Sequence, residues 1–95
     1  MRTALAAAIG LASIAAATTA AAAPAGAAGC TGCHPASAHV TSPVPRLAGL
    51  DRAAIVRAMQ EFRAGQRAAT VMDRIAKGFT DAEIQAIAAW YTRRR

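Results

Sequence analysis

The feature that most limits what this chain can fold into is the stretch CTGCH at residues 30–34. Cys30 and Cys33 are the only cysteines, and His34 follows the second directly. Thiols at this spacing serve a redox disulfide, a zinc knuckle or covalent attachment of haem. A thioredoxin-like active site needs a strand before the motif and a βαβ context after it, and no segment here shows period-two alternation. Zinc needs four ligands, and Cys30, Cys33, His34 and His39 make up the number. Adjacent side chains at 33 and 34 chelate one tetrahedral ion awkwardly, however, and no second CxxC or HxxxH follows. A plain disulfide leaves His34 without a role. In c-type attachment the two thiols add to the haem vinyl groups as thioethers, and the next imidazole is placed under the iron. The motif therefore predicts one covalent haem c on Cys30 and Cys33 with His34 as an axial ligand. Zinc and thiol-redox chemistry remain as alternatives.

The chain has 95 residues, enough for one domain. Met1, Arg2 and Thr3 form a short positive start, and the apolar run from Ala4 to Ala17 is too short to span a bilayer comfortably. TTAAAAPAGAAG follows, with several AxA-type cleavage sites. Residues 1–22 thus read as a secretory signal peptide cut after Ala22, leaving 23–95 as the domain in the periplasm, without a stable membrane anchor. The alternative is an alanine-rich helix that stays in place. A domain of that size gains only a few kcal/mol from its own core. Leu, Ile, Val and Phe are also sparse after residue 30. A large apolar cofactor would fill the deficit.

The net charge is +6, and three of the cationic residues are Arg93, Arg94 and Arg95. Without aromatic interleaving this pattern does not point to nucleic acid. It suits solubility or an acidic protein partner.

PASAHVTSPVPRLAG, with three prolines, reads as an irregular loop. Asp51 then caps a helix in which Ile55, Met59 and Phe62 recur at helical spacing and Gly65 is the stop. A short helix is expected around Val71 to Lys77, ended by Gly78. The last helix opens on a capping box, Thr80 with Glu83, and a hydrophobic staple of Phe79 with Ile84. Ile84, Ile87, Ala88 and Tyr91 line one face, and the terminal arginines complement the helix dipole. The fold class is all-α, three or four short helices joined by one long loop.

A methionine is the soft partner of histidine on the iron of electron-carrying cytochromes. Met59 lies on the apolar stripe of its helix, where a core role is expected. Met72 sits near a short helix start, well separated from His34, and is the preferred sixth ligand. His39, five residues beyond His34, is too near in sequence to cross to the far haem face and reads as a solvated loop histidine.

CTGCH, PRLAG at 45–49, a methionine in a short segment and a last helix ending in an aromatic pair together resemble a monohaem class I cytochrome c. PRLAGL followed by EFRAGQRAATVMDRIAKGFTDAEIQAIAAWY is more specific. It resembles the cytochrome subunits of flavocytochrome c sulfide dehydrogenases, from about Gly29 to Tyr91. The resemblance implies a small class I cytochrome c fold around one covalent haem. It places Met72 on the iron and makes the Pro45 carbonyl the acceptor for the proximal imidazole. It also packs Trp90 and Tyr91 against an N-terminal helix and the haem edge. It implies electron transfer from a flavoprotein subunit that oxidises sulfide, so that the chain belongs to an enzyme without being a catalyst itself. The alternatives are a general carrier for another periplasmic redox protein and a haem-based sensor of small ligands. Two departures stand out: Pro35 follows the motif where the family often has glycine, and the segment before Cys30 leaves little room for the family's longer first helix.

Overall fold

The computed structural model describes residues 12–17 and 22–95. Most of the expected leader, and with it the test of the boundary after Ala22, lies outside the described residues. Four helices follow one another: α1 (Ala27–Cys30), α2 (Arg52–Arg63), α3 (Met72–Ala76) and α4 (Asp81–Thr92), with no strand among the described residues. The all-α expectation is met. No helix of the described residues is long and apolar enough to cross a membrane.

Local sequence accounts for each boundary. The Asp51 side chain accepts the Ala54 N–H at 3.0 Å and starts α2. At the other end Gly65 takes φ 72°, Gln66 N–H reaches the Glu61 carbonyl, and Gly65 N–H reaches that of Phe62. These two bonds make a Schellman stop, for which a left-handed glycine is suited. α3 runs one residue inside each expected end, between caps Val71 and Lys77. In α4 the Thr80 hydroxyl accepts from Glu83 N–H while the Glu83 carboxylate accepts from Thr80, closing the capping box. Phe79 packs on the core cluster that contains Ile84. The terminal arginines follow the last turn of α4, at its negative end. None lies in the last turn of α4; Arg93 is its C-cap, and the Arg94 guanidinium stacks 4.0 Å from the Trp90 ring centroid.

The buried face of α4 is Ile84, Ile87, Ala88 and Tyr91, as the periodicity predicts. It meets Ile55 and Val56 of α2 and Ala27 of α1, and Leu47, Met59 and Trp90 pack at the margin. α2 therefore lies between α3 and α4 as the common partner of both. The core is small: Ile84 is the only large side chain that is fully buried among the described residues.

The first helix is a single turn, because Pro24, Gly26, Gly29 and Gly32 are poor helix formers and one turn has little stability of its own. Gly26 caps it at φ 83°, and a Cβ there would come within 2.6 Å of Phe79 Cε1. Both the left-handed backbone and the close ring exclude a side chain. Gly26→Ala is expected to lower unfolding free energy by about 1–3 kcal/mol, measured by denaturant titration. A stability within about 0.5 kcal/mol of the parent would show that α1 does not dock as described.

Candidate haem site

The site grows from the turn that follows α1. Cys30 is the last residue of that helix, and His34 N–H and Cys33 N–H both return to its carbonyl, at 2.9 and 3.2 Å. This turn holds the motif compactly, with Cys30 half-buried, Cys33 exposed and the two thiols not joined to each other. His34 is half-buried. Its Nδ1–H donates to the Pro45 carbonyl at 2.5 Å. With Nδ1 committed, Nε2 is left as the lone-pair nitrogen, the tautomer a metal ligand needs.

Pro45 is positioned in turn. Its neighbour Arg46 donates Nε–H to the Ala36 carbonyl at 3.0 Å, a second tie between the 45–50 turn and the loop after His34. Gly49, at φ 78°, donates N–H to the Tyr91 carbonyl at 3.1 Å, and the Thr92 hydroxyl bonds the Leu50 carbonyl. The C-terminal end of α4 thereby carries the turn that orients the imidazole.

Tyr91 also reaches the other half of the motif. Its hydroxyl donates to the Ala27 carbonyl at 2.6 Å in a buried bond, tying α1 to α4 across 64 residues of sequence. Burial raises the Cys30 thiol, and a hydrogen bond with Tyr91 opposes that rise. The Tyr91 phenol is pushed up to about 12, first by burial, then by the charge of Cys30 and the bond to it, with Arg94 pulling the other way.

Met72 is the first residue of α3 and is half-buried, while Met59 packs against the core cluster. Met59 is half-buried as well, at the margin of the core cluster. His39 is exposed in the loop, its N–H bonded to Ser37 Oγ at 3.2 Å. Among the described residues no three His, Cys, Asp or Glu side chains converge on a point where a metal ion could sit. The Cys30, Cys33, His34 and His39 set is therefore not assembled as a zinc site.

The residues present fit a haem. Two unpaired thiols precede an imidazole with a free Nε2, and a thioether stands on a separate element. Apolar surface is uncovered on that element and elsewhere: Val71 is 48% exposed, Ile75 43% and Leu50 41%. Exposed apolar side chains on so short a helix as α3, beside a core of few large residues, suit a large apolar group better than water.

No protein-family model matches the chain. The chain is similar to the cytochrome subunit of sulfide dehydrogenase from Chlorobaculum tepidum, 37% identical over 59 residues, which cover 62% of this chain and 54% of that protein. It thus spans about half the length of that relative. The resemblance to cytochrome subunits of sulfide dehydrogenases therefore has support from comparison as well as from motif.

What reasoning from sequence did not find are the ties behind the site: Tyr91 to Ala27, Arg46 to Ala36 and Gly49 to Tyr91. The glycine in PRLAG was the one visible sign of the last.

A phenol raised on folding contributes stability that is fully present below about pH 10 and is lost as pH rises through about 12. A thioether at Cys30 would take away its charge and leave the burial, the first cause of the rise. The denaturation midpoint of the parent should therefore fall more steeply between pH 10 and 12 than that of Tyr91→Phe. Parallel profiles for the two proteins would exclude this linkage.

Proposed function

We propose that this chain is an exported c-type cytochrome that carries single electrons through one covalent haem c. The observation that carries this reading is the His34 imidazole, held by Pro45 at 2.5 Å with Nε2 free, directly beside the thiols of Cys30 and Cys33. When bound, the haem supplies reversible one-electron chemistry between ferric and ferrous iron.

The rest of the work falls to the protein. Cys30 and Cys33 tether the group to α1 and the turn after it. His34 would be held to the iron through Nε2, and its bond to Pro45 fixes the ring and raises its basicity. Met72 would supply a second protein ligand. Val71 and Ile75, exposed on the segment that carries Met72, would offer apolar surface to the group. Protein ligands kept in both oxidation states would leave little to move on electron transfer.

Export to the periplasm is supported by the order of charged start, apolar run and small-residue tract in residues 1–22. The electron donor under this reading is a flavoprotein subunit that oxidises sulfide. Its support is the resemblance of residues 61–91 and the similarity to a protein described as a cytochrome subunit of sulfide dehydrogenase. The chain then serves an enzyme complex as its electron outlet.

Exported protein assayed as the pyridine haemochrome should contain one covalent haem per chain, and its absence would end the proposal. Met72→Ala should abolish the weak iron-sulfur charge-transfer band and lower the reduction potential. If Met59→Ala does so and Met72→Ala does not, the sixth ligand has been misassigned.

A further inference from the structure

Met72 stands in a segment with little structure of its own. Residues 64–71 are exposed and form no helix, and α3 is a single short helix whose N-cap, Val71, makes no side-chain bond. α3 is seated against α2 by the buried Ala76. Beyond that, the two ends of the segment are gripped by charged side chains from one place, the last turn of α2.

At the near end, Glu61 Oε2 accepts from both Nε and Nη2 of Arg67, at 2.8 and 2.7 Å, and the Arg67 guanidinium lies 5.5 Å from the Phe62 ring centroid. At the far end, Arg63 Nη1 donates to the Phe79 carbonyl at 3.2 Å and Nη2 pairs with Asp81 Oδ1. Glu61 and Arg63, two residues apart on one helical turn, thus hold positions 67 and 79–81, which bracket Met72.

The far grip has the stronger chemistry. An isolated surface ion pair contributes little. Arg63, however, is about two-thirds buried, and it uses two nitrogens on two different acceptors. One is a half-buried main-chain carbonyl that immediately precedes the N-cap of α4. The other is the first residue of α4, where a carboxylate is already favoured by the helix dipole. An arginine in this arrangement fixes distance and direction in a way that a point charge does not.

We propose that Arg63 is a positioning residue for Met72. By pinning Phe79 and Asp81 to the end of α2, it holds the segment 68–78 in the place from which the Met72 sulfur ligates the iron. This proposal rests on the reading of Met72 as the sixth ligand. Loss of the grip lets the segment move away as a unit while α1, α4 and the His34 side stay assembled. The consequence is ligand exchange at the iron rather than general unfolding.

The test is imidazole binding to the ferric holoprotein, read in the visible spectrum, beside the charge-transfer band. Because an incoming ligand must displace Met72, its apparent affinity scales with the population of the released state. Arg63→Gln is expected to raise imidazole affinity about tenfold, as for loss of a hydrogen-bonded charged group, and to weaken the band. Arg63→Lys should restore part of the parent behaviour. Asp81→Asn, which keeps the Phe79 bond, should shift affinity in the same direction by less.

A purely structural role gives a different result: Arg63→Gln lowers the unfolding midpoint but leaves imidazole affinity within about twofold of the parent, and this overturns the proposal. If Arg63→Gln does not yield folded haem protein, Asp81→Asn decides, and parent-like affinity there overturns the proposal equally. Met72→Ala separates the two levels. If it retains the charge-transfer band, the ligand assignment itself fails; if it loses the band while Arg63→Gln binds imidazole like the parent, only the role of Arg63 fails.

Discussion

Tyr91, through side chain and main chain together, is where the parts of this small protein meet. Its hydroxyl donates to Ala27 in α1, its carbonyl accepts from Gly49 in the turn after Pro45, and its ring is buried against Trp90 in an edge-on pair at 4.8 Å. One residue thus joins the helix that ends in Cys30 to the turn that orients His34. In a first helix of one turn, dipeptide-scale stability cannot hold the cysteines in place. The buried bond to Ala27 supplies what helix length would otherwise give, since leaving that carbonyl unpaired in the core would cost about 1–3 kcal/mol.

The same economy explains why the apolar surface is unevenly covered. α2 and α4 bury Ile55, Val56, Ile84 and Ile87 against each other, while Val71 and Ile75 around α3 stay open. Domains of this size rarely reach comfortable stability from side chains alone. A haem tethered at Cys30 and Cys33 would act as a further core residue, larger than any the sequence provides. Folding and cofactor retention are then coupled, as for any group that binds the native state and not the unfolded chain.

Much of this was legible beforehand because the signals are local. Asp51, Thr80 with Glu83, Gly65 and the i, i+3, i+4 spacing of Ile84, Ile87, Ala88 and Tyr91 each act within a turn or two, and α2 and α4 appear where these signals put them. CTGCH is local in the same sense, a chemical unit within five residues, and its reading as a haem tether belongs to the proposed function. Of the contacts behind the site, the His34–Pro45 bond and the packing of Tyr91 on the first helix came only with the family resemblance, and the other ties were not foreseen. Arg46 to Ala36, Arg63 to Phe79 and Tyr91 to Ala27 join residues 10, 16 and 64 apart, and no periodicity records them. Among the terminal arginines, Arg93 caps α4 at its negative end, and what charge did not announce is that Arg94 turns onto the Trp90 face, where a flat cation and a flat ring attract directly.

The two proposed iron ligands therefore rest on different supports. His34 is tied through Pro45 and Gly49 to the end of α4, by main-chain acceptors and a buried tyrosine that have few alternative arrangements. Met72 depends on the last turn of α2, through ion pairs that water can reach. Because charged contacts near solvent exchange more readily than buried hydrogen bonds, the histidine side is the fixed wall of the site and the methionine side its movable one. Under the proposed function, a carrier that kept both ligands in both oxidation states would need that wall held shut, a demand that would fall on a few charged side chains rather than on a larger core. The partition also locates sensitivity to change: the turn Glu61–Arg63 with Asp81 of α4 bears on the proposed methionine side, and the stretch Pro45–Leu50 on the histidine side.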